Sequence, residues 1–297
     1  MTTIRTRWER LDERFAPVHG DRFVEVLFEQ GRWLEGPAYS PLWRSVLFSD
    51  IPNDRVLQYD EITKSVGGWM APSGFANGRI VDRRGRVVHC HHGTRSVTRV
   101  EPDGSVTTLA DAADGHRLNS PNDLVERADG SIWFTDPSYG IRSDYEGHRG
   151  EVETGGCHVY RIDPDGTLTR VADDFAQPNG LAFSADEREL YVLDSERNHV
   201  RRFDVARDGA LSGGEVLVSD ARGYDGVRVD DGGRLWLAAG DGLHCVDRDG
   251  TLLGKLLLPE VCANLTFGGA QRNVLYVTAT NLLLSVRVSV RGASYPA

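Results

Sequence analysis

From residue 24 onward the chain alternates short apolar runs with tight polar turns. β-branched and aromatic runs recur at SVLFSD (45–50), RVVHCHH (86–92), SIWFTD (131–136), ELYVLD (189–194), RLWLAAG (234–240) and VLYVTA (274–279). Runs this short, bounded by turn residues, predict strands rather than helices. Many follow a turn such as RRGR (83–86), ADGS (128–131) or DGGR (231–234), and Asp-Gly or Gly-Gly supplies the positive φ that tight hairpins need. A second set of turns, EPDGSV (101–106), DPDGTL (163–168), ARDGAL (206–211) and DRDGTL (247–252), closes the hairpins that follow. Only residues 1–17 read differently. Ile4, Trp8, Leu11 and Phe15 stand at helical spacing and predict a short amphipathic helix that caps a face of the fold.

A polar residue occupies one equivalent point in each unit, just ahead of an apolar pair or triplet. The series is Glu35 (LEGPAYS), Asn77 (FANGRIV), Asn122 (SPNDLVE), Asn179 (QPNGLAF), Asp225 (GYDGVRV) and Asn264 (CANLTFG). Successive members are 42, 45, 57, 46 and 39 residues apart, about 46 on average. A period of roughly 40–50 residues carrying about four strands marks a propeller blade. The chain therefore reads as all-β, one six-bladed β-propeller spanning 1–297, with residues 1–22 as an N-terminal extension. The segment FVEVLFEQGRW (23–33) reads as the strand that completes the last blade and closes the ring, which removes an exposed sheet edge.

Length alone, 297 residues, suggests two domains at roughly 150 residues each, and the repeat overrides that. The 34 basic and 44 acidic residues leave a net charge of -10, which disfavours nucleic acid as a partner. Hydrophobic residues make up 40% of the chain, with six Trp, enough for a core. No apolar run approaches the ~20 residues of a membrane helix, and the N-terminus lacks the apolar segment of a secretory signal. A cytoplasmic protein is the expectation. The four cysteines, Cys90, Cys157, Cys245 and Cys262, include no CxxC and read as small buried residues without a disulfide framework.

In a propeller the innermost strand of each blade lines a central channel, so a residue recurring at its start projects into the channel mouth. Here those six positions carry two carboxylates and four amides. Carboxylate and amide oxygens are the hard ligands that Ca²⁺ and similar cations prefer. Two buried carboxylates without a cation would repel each other.

The motifs EGPAYS, FTDPSYG, SPNDLV, QPNGLAFS and GYDGVRVDDGGRLWLA resemble those of the gluconolactonase / senescence-marker-protein (regucalcin) family, over roughly residues 30–285. The resemblance implies a six-bladed propeller with a divalent cation at the channel mouth, most often Ca²⁺, with Zn²⁺, Mn²⁺ or Mg²⁺ as alternatives. It implies Glu35, Asn179 and Asp225 as ligands, with Asn122 completing the site or touching substrate, and Asn77 and Asn264 as supporting or structural. The implied reaction is hydrolysis of a sugar lactone. A cation acts there as a Lewis acid, and Asp225 takes a proton from water, orients the water or attacks directly.

Further substrate-contacting candidates are Arg117 and Asn119 in HRLNSPND, Asp136 in SIWFTDPSYG, and Tyr139. In the family Arg and Asn near this point hold sugar hydroxyls, although Arg117 stands further from Asn122 than the family pattern implies. Asp136 reads equally as a turn residue, as does Asp194, and for Asp50 the turn reading is favoured. The 57-residue spacing is about 11 longer than the mean, and the excess falls in GIRSDYEGHRGEVETGG (140–156). Such a loop reads as a lid or specificity loop, with Tyr139, Tyr145, Glu146 and His148 facing substrate, or as a solvated surface loop. In HCHH, a strand places His89 and His91 on one face and His92 on the other, with no further residues at zinc-site spacing. GxSxG, HExxH and P-loop patterns are absent. An aryl-ester or organophosphate hydrolase on the same site, or a non-catalytic binding propeller, are the competing readings.

Overall fold

The computed structural model describes residues 2–16, 18, 20–220 and 223–293. Their strands form a six-bladed β-propeller. The blades, in chain order, begin with innermost strands Leu34–Ser40, Ala76–Val81, Leu124–Glu126, Pro178–Phe183, Tyr224–Val229 and Cys262–Gly268. Each innermost strand pairs antiparallel with the next strand in sequence, and each blade adds a third and fourth strand outward. Around the ring each innermost strand touches its neighbours, and the sixth touches the first. The fourth strand of blade six is Phe23–Phe28, which pairs with Leu282–Arg287. The N-terminal segment thus closes the ring as its apolar pattern predicts. In the turns EPDGSV, DPDGTL, ARDGAL and DRDGTL the glycines, Gly104, Gly166, Gly209 and Gly250, take φ of 82 to 89°, the conformation for which Asp-Gly is suited.

The predicted N-terminal helix does not form. Thr2–Arg5 and Arg7–Arg10 are strands, followed by a single 3-10 turn at Glu13–Phe15. The first adds to the outer edge of blade six beside Phe23–Phe28, and the second adds to the outer edge of blade five beside Leu252–Leu257. Ile4 and Trp8 are an even number of residues apart, so their spacing suits an extended chain as well as a helix. The competing interaction was two open sheet edges, whose unpaired N–H and C=O groups are met by these strands. Ile4 and Trp8 pack against the core shared by blades five and six, where Phe15 is buried, while Leu11 is exposed. All four cysteines are unpaired and buried. No helix among the described residues is long and apolar enough to cross a membrane.

Glycine lets four of the six innermost strands come close to their neighbours on the axis. In blades one, two, four and five the ring residue is followed by Gly36, Gly78, Gly180 and Gly226. A methyl group on Gly78 would overlap the carbonyl oxygen of Asn122 in the next blade and lie 2.8 Å from Asp123 Cα; one on Gly180 would lie 2.8 Å from Gly226 Cα. The Gly78 N–H donates to that same Asn122 carbonyl at 2.8 Å. Ladder register breaks at these dipeptides, between Glu35 and Ala38, Ala76 and Arg79, Pro178 and Leu181, and Tyr224 and Val227. Such a bulge re-aims a side chain out of the pleat. The consequence is testable. Gly78→Ala is expected to lower stability by about 3 kcal/mol or more, because backbone has no room to yield. Gly67→Ala, where an added methyl meets nothing within 4 Å, is expected to leave the urea midpoint unchanged or slightly raised.

Candidate active site

Five ring residues meet in one cavity at the channel mouth, four of them turned there by the bulges. Glu35, Asn77, Asn122, Asn179 and Asp225 line it together with Trp33, Tyr139, Glu146 and Ser195, around a space of about 340 Å³. That is near the lower end of small-molecule pockets and suits a single sugar-sized ligand. The sixth ring residue, Asn264, turns down the channel. Its Nδ2 donates to Glu35 Oε2 at 3.1 Å and to Asp123 Oδ2 at 3.3 Å, and its Oδ1 accepts from Leu265 N–H at 2.8 Å. Asn264 and Asp123 come from blades on opposite sides of the ring, so their contact forms a floor under the cavity.

The carboxylates of this site are crowded and dry. Burial, then the charge of Asp123, pushes Glu35 up to about 7, against hydrogen bonds from Gly36 N–H and Asn264. Burial, then the charges of Glu35, Asp123 and Glu146, holds Asp225 well above the ordinary carboxylate range. These are the shifts that buried like charges produce. The amides are held the opposite way round. Asn179 Nδ2 donates to Ser195 Oγ at 3.0 Å, and Ser195 in turn donates to the Tyr224 carbonyl at 2.5 Å. With its nitrogen committed, Asn179 leaves Oδ1 buried and without a protein partner. A buried acceptor left unpaired is costly, and an oxygen-seeking cation would satisfy it. Carboxylates driven toward neutrality and a free amide oxygen suit a hard divalent cation. Among the described residues no group of three or more His, Cys, Asp or Glu side chains is placed to hold a metal, so an amide-containing donor set is the arrangement to consider.

The other sequence candidates divide. Tyr139 lines the cavity beside Ser195 and Asp225. Arg117, Asn119 and Asp136 are not in the cavity wall. Asp136 is buried, and its oxygens accept from the backbone N–H groups of Asn119 and Ser120, both at 2.8 Å. Asn119 Nδ2 donates to the carbonyls of Asp136 at 3.1 Å and Gly156 at 2.8 Å. Arg117 is exposed in a two-residue strand. Asp50 and Asp194 do the same work as Asp136. They accept backbone N–H groups at Arg32 (2.9 Å) and at Ala176 (2.8 Å) and Gln177 (3.2 Å), holding the segment that enters an innermost strand. From the long loop, Glu146 reaches the cavity, whereas Tyr145 is exposed. The loop is fastened rather than free, with His148 N–H bonded to Gly140 O at 3.0 Å and Gly150 N–H to Ile141 O at 2.9 Å.

Three charged residues of the channel escaped the sequence reading. Asp123 follows Asn122 where four other blades have glycine, and Arg228 sits 3.4 Å from it. Arg79 is fully buried and donates to Gly36 O, Ser49 Oγ and, at 2.8 Å, Asn77 O. Their signal was arginine inside the otherwise apolar strands GRIV and GVRV.

A six-bladed propeller with buried carboxylate and amide oxygens gathered at one channel mouth defines a class of proteins. Within it, residues 33–281 match the SMP-30/gluconolactonase/LRE-like family, and the chain belongs to that family, as its motifs predict. The gluconolactonase of Zymomonas mobilis is 29% identical, with 91% of this chain and 82% of that protein covered. The solved structure of a gluconolactonase from Xanthomonas campestris superposes with a TM-score of 0.90 at 37% identity, covering 97% of each chain. A calcium-binding regucalcin from Agrobacterium tumefaciens shares the fold, with a TM-score of 0.76 at 20% identity over 90% of this chain and 94% of that one.

The three histidines beside the site are kept neutral by burial, and His91 is pushed down to about 4. Its Nδ1 lies 2.8 Å from Ser73 O and its Nε2 2.7 Å from Thr98 Oγ1. A depressed base contributes stability that is present above its unfolded pKa, near 6.5, and lost as pH falls toward 4, because the unfolded chain binds the extra proton. His91→Gln is therefore expected to flatten the pH dependence of urea stability in that window by about 1.4 kcal/mol per pH unit.

Proposed function

We propose that this protein is a lactonase, a carboxylic ester hydrolase that opens a sugar lactone with the help of a divalent cation. The carrying observation is the convergence of Glu35, Asn122, Asn179 and Asp225, from four separate blades, on one buried cavity. Family membership and the likeness to gluconolactonases support the reaction class. The hard oxygen donors, and the calcium-binding relative of the same fold, support Ca²⁺ as the ion. Glu35, Asn122, Asn179 and Asp225 would hold it. When bound there, a divalent cation supplies positive charge that polarises the ester carbonyl and offsets the charge developing on its oxygen.

The chain's own residues do the rest. Ser195 fixes the Asn179 amide with its oxygen toward the cavity. Asn264 and Gly36 hold the Glu35 carboxylate in place. Asp225 stands beside Tyr139 at the cavity wall, positioned to take a proton from the attacking water. As the C–O bond of the ring breaks, that proton passes to the ring oxygen, and the product is a hydroxy acid. Trp33 and Tyr139 line the cavity beside these groups.

Asp225→Asn is expected to abolish lactone hydrolysis, followed as acid release, while the circular dichroism and melting of the protein stay near wild type. Treatment with chelator is expected to abolish activity and added Ca²⁺ to restore it. Full activity in Asp225→Asn would remove Asp225 from the proposed role, and full activity in chelator would remove the cation.

A further inference from the structure

Two acceptors on the blade-two side of the cavity have no part in that mechanism, and a single histidine joins them. His92 Nδ1 lies 3.0 Å from the backbone carbonyl of Glu146. A carbonyl can only accept, so Nδ1 carries the proton. Burial keeps the ring neutral, which leaves Nε2 as a lone pair, and Asn77 Nδ2 donates to it at 3.1 Å. The nitrogen of Asn77 is thereby committed, and its Oδ1 is buried without a protein partner in the cavity wall. Held this way the amide offers its oxygen to the cavity as an acceptor. The second acceptor is the Glu146 side chain, which lines the same cavity from the loop anchored on His92. The loop's seat is close, since a methyl on Gly140 would overlap His92.

Blade two faces blade five across a six-bladed ring. Asn77 therefore stands across the cavity from Asp225, where the part of a substrate remote from the reacting ester would lie. We propose that Asn77 Oδ1 and the Glu146 carboxylate form a hydroxyl-reading wall that selects polyhydroxylated lactones, with His92 as the residue that positions Asn77. The proposal rests on the lactonase reading and assigns residues of this chain to its selectivity. A hydroxylated substrate donates to both acceptors. A lactone without hydroxyls leaves them buried and unpaired, the situation in which hydrogen-bonding sites discriminate most strongly.

The test compares an aldono-δ-lactone with δ-valerolactone, the same ring without hydroxyls, in the presence of Ca²⁺. The measured quantity is the ratio of kcat/KM for the two substrates in wild type, Glu146→Ala, Asn77→Ala and His92→Phe. Each variant is expected to lower that ratio by roughly tenfold or more, chiefly through KM for the aldonolactone. Calorimetric Ca²⁺ affinity is expected to stay near wild type, and His92→Phe is expected to follow Asn77→Ala. An unchanged ratio, or an equal loss on both lactones, overturns the wall while leaving the lactonase reading intact. If wild type hydrolyses neither lactone, the lactonase reading fails and the wall with it. Glu146 lies on a surface loop, so Glu146→Ala decides the matter should a buried variant not fold.

Discussion

Six innermost strands can converge on one axis only where side chains leave room for backbone to meet backbone. In this molecule that room is made after four of the six ring positions, where Gly36, Gly78, Gly180 and Gly226 lie against the next blade. The same contact does two further things. It breaks the ladder into a bulge, which rotates the preceding side chain toward the channel mouth. It also fixes that side chain's height on the axis, because the Gly78 N–H is bonded to the Asn122 carbonyl of the next blade. The polar ring is thus a by-product of how the propeller closes. Blades three and six depart from the glycine rule with Asp123 and Leu265, and it is across these opposite blades that Asn264 and Asp123 meet to form the floor.

That floor sets the electrostatics above it. Glu35, Asp123 and Asp225 are gathered in or just below the cavity, and Arg228 and Arg79 lie beneath them. Arg79 is held largely by backbone carbonyls and Ser49 rather than by a carboxylate, so its charge acts on the acids from a distance. Burial first, and then the repulsion among the three carboxylates, raises Glu35 and Asp225. A divalent ion placed among Glu35, Asp225 and the unpartnered Asn179 oxygen would reverse both shifts and satisfy the amide. Most of the net charge of -10 lies elsewhere, in acidic residues of the turns.

The propeller was legible because its markers are spaced by the blade and not by the strand. One polar residue about every 46 positions, paired with Asp-Gly turns, reports the architecture even where single strands are ambiguous. The cavity ring was legible for the same reason, since Glu35, Asn122, Asn179 and Asp225 share a place in the repeat. What escaped lacked a distinguishing pattern. Ile4 and Trp8 satisfy strand and helix spacing alike. Asp136 and Asn119 carry the chemistry of a substrate site, yet their hydrogen bonds run to backbone apart from Thr154 Oγ1 on the Asn119 oxygen, and composition cannot separate those uses. Arg79 and Arg228 were visible only as charges in apolar strands. His92 gains its meaning from Glu146, 54 residues away, a pairing no local pattern encodes.

A division of labour follows from these constraints. In four blades a ring residue cannot be moved without disturbing a glycine contact and the blade beyond it, so the ring has little freedom to vary. Loops between strands carry no such tie. The long insertion of blade three leaves the ring undisturbed while adding Glu146 to its rim and buttressing His92 behind Asn77. A propeller of this kind can therefore change what it selects by altering the insertion, while Glu35, Asn122, Asn179 and Asp225 stay as the geometry of closure placed them. In this chain the insertion is locked by Gly140 and His92 rather than hinged, so the proposed wall would select as a preformed surface and not through closure of a flap.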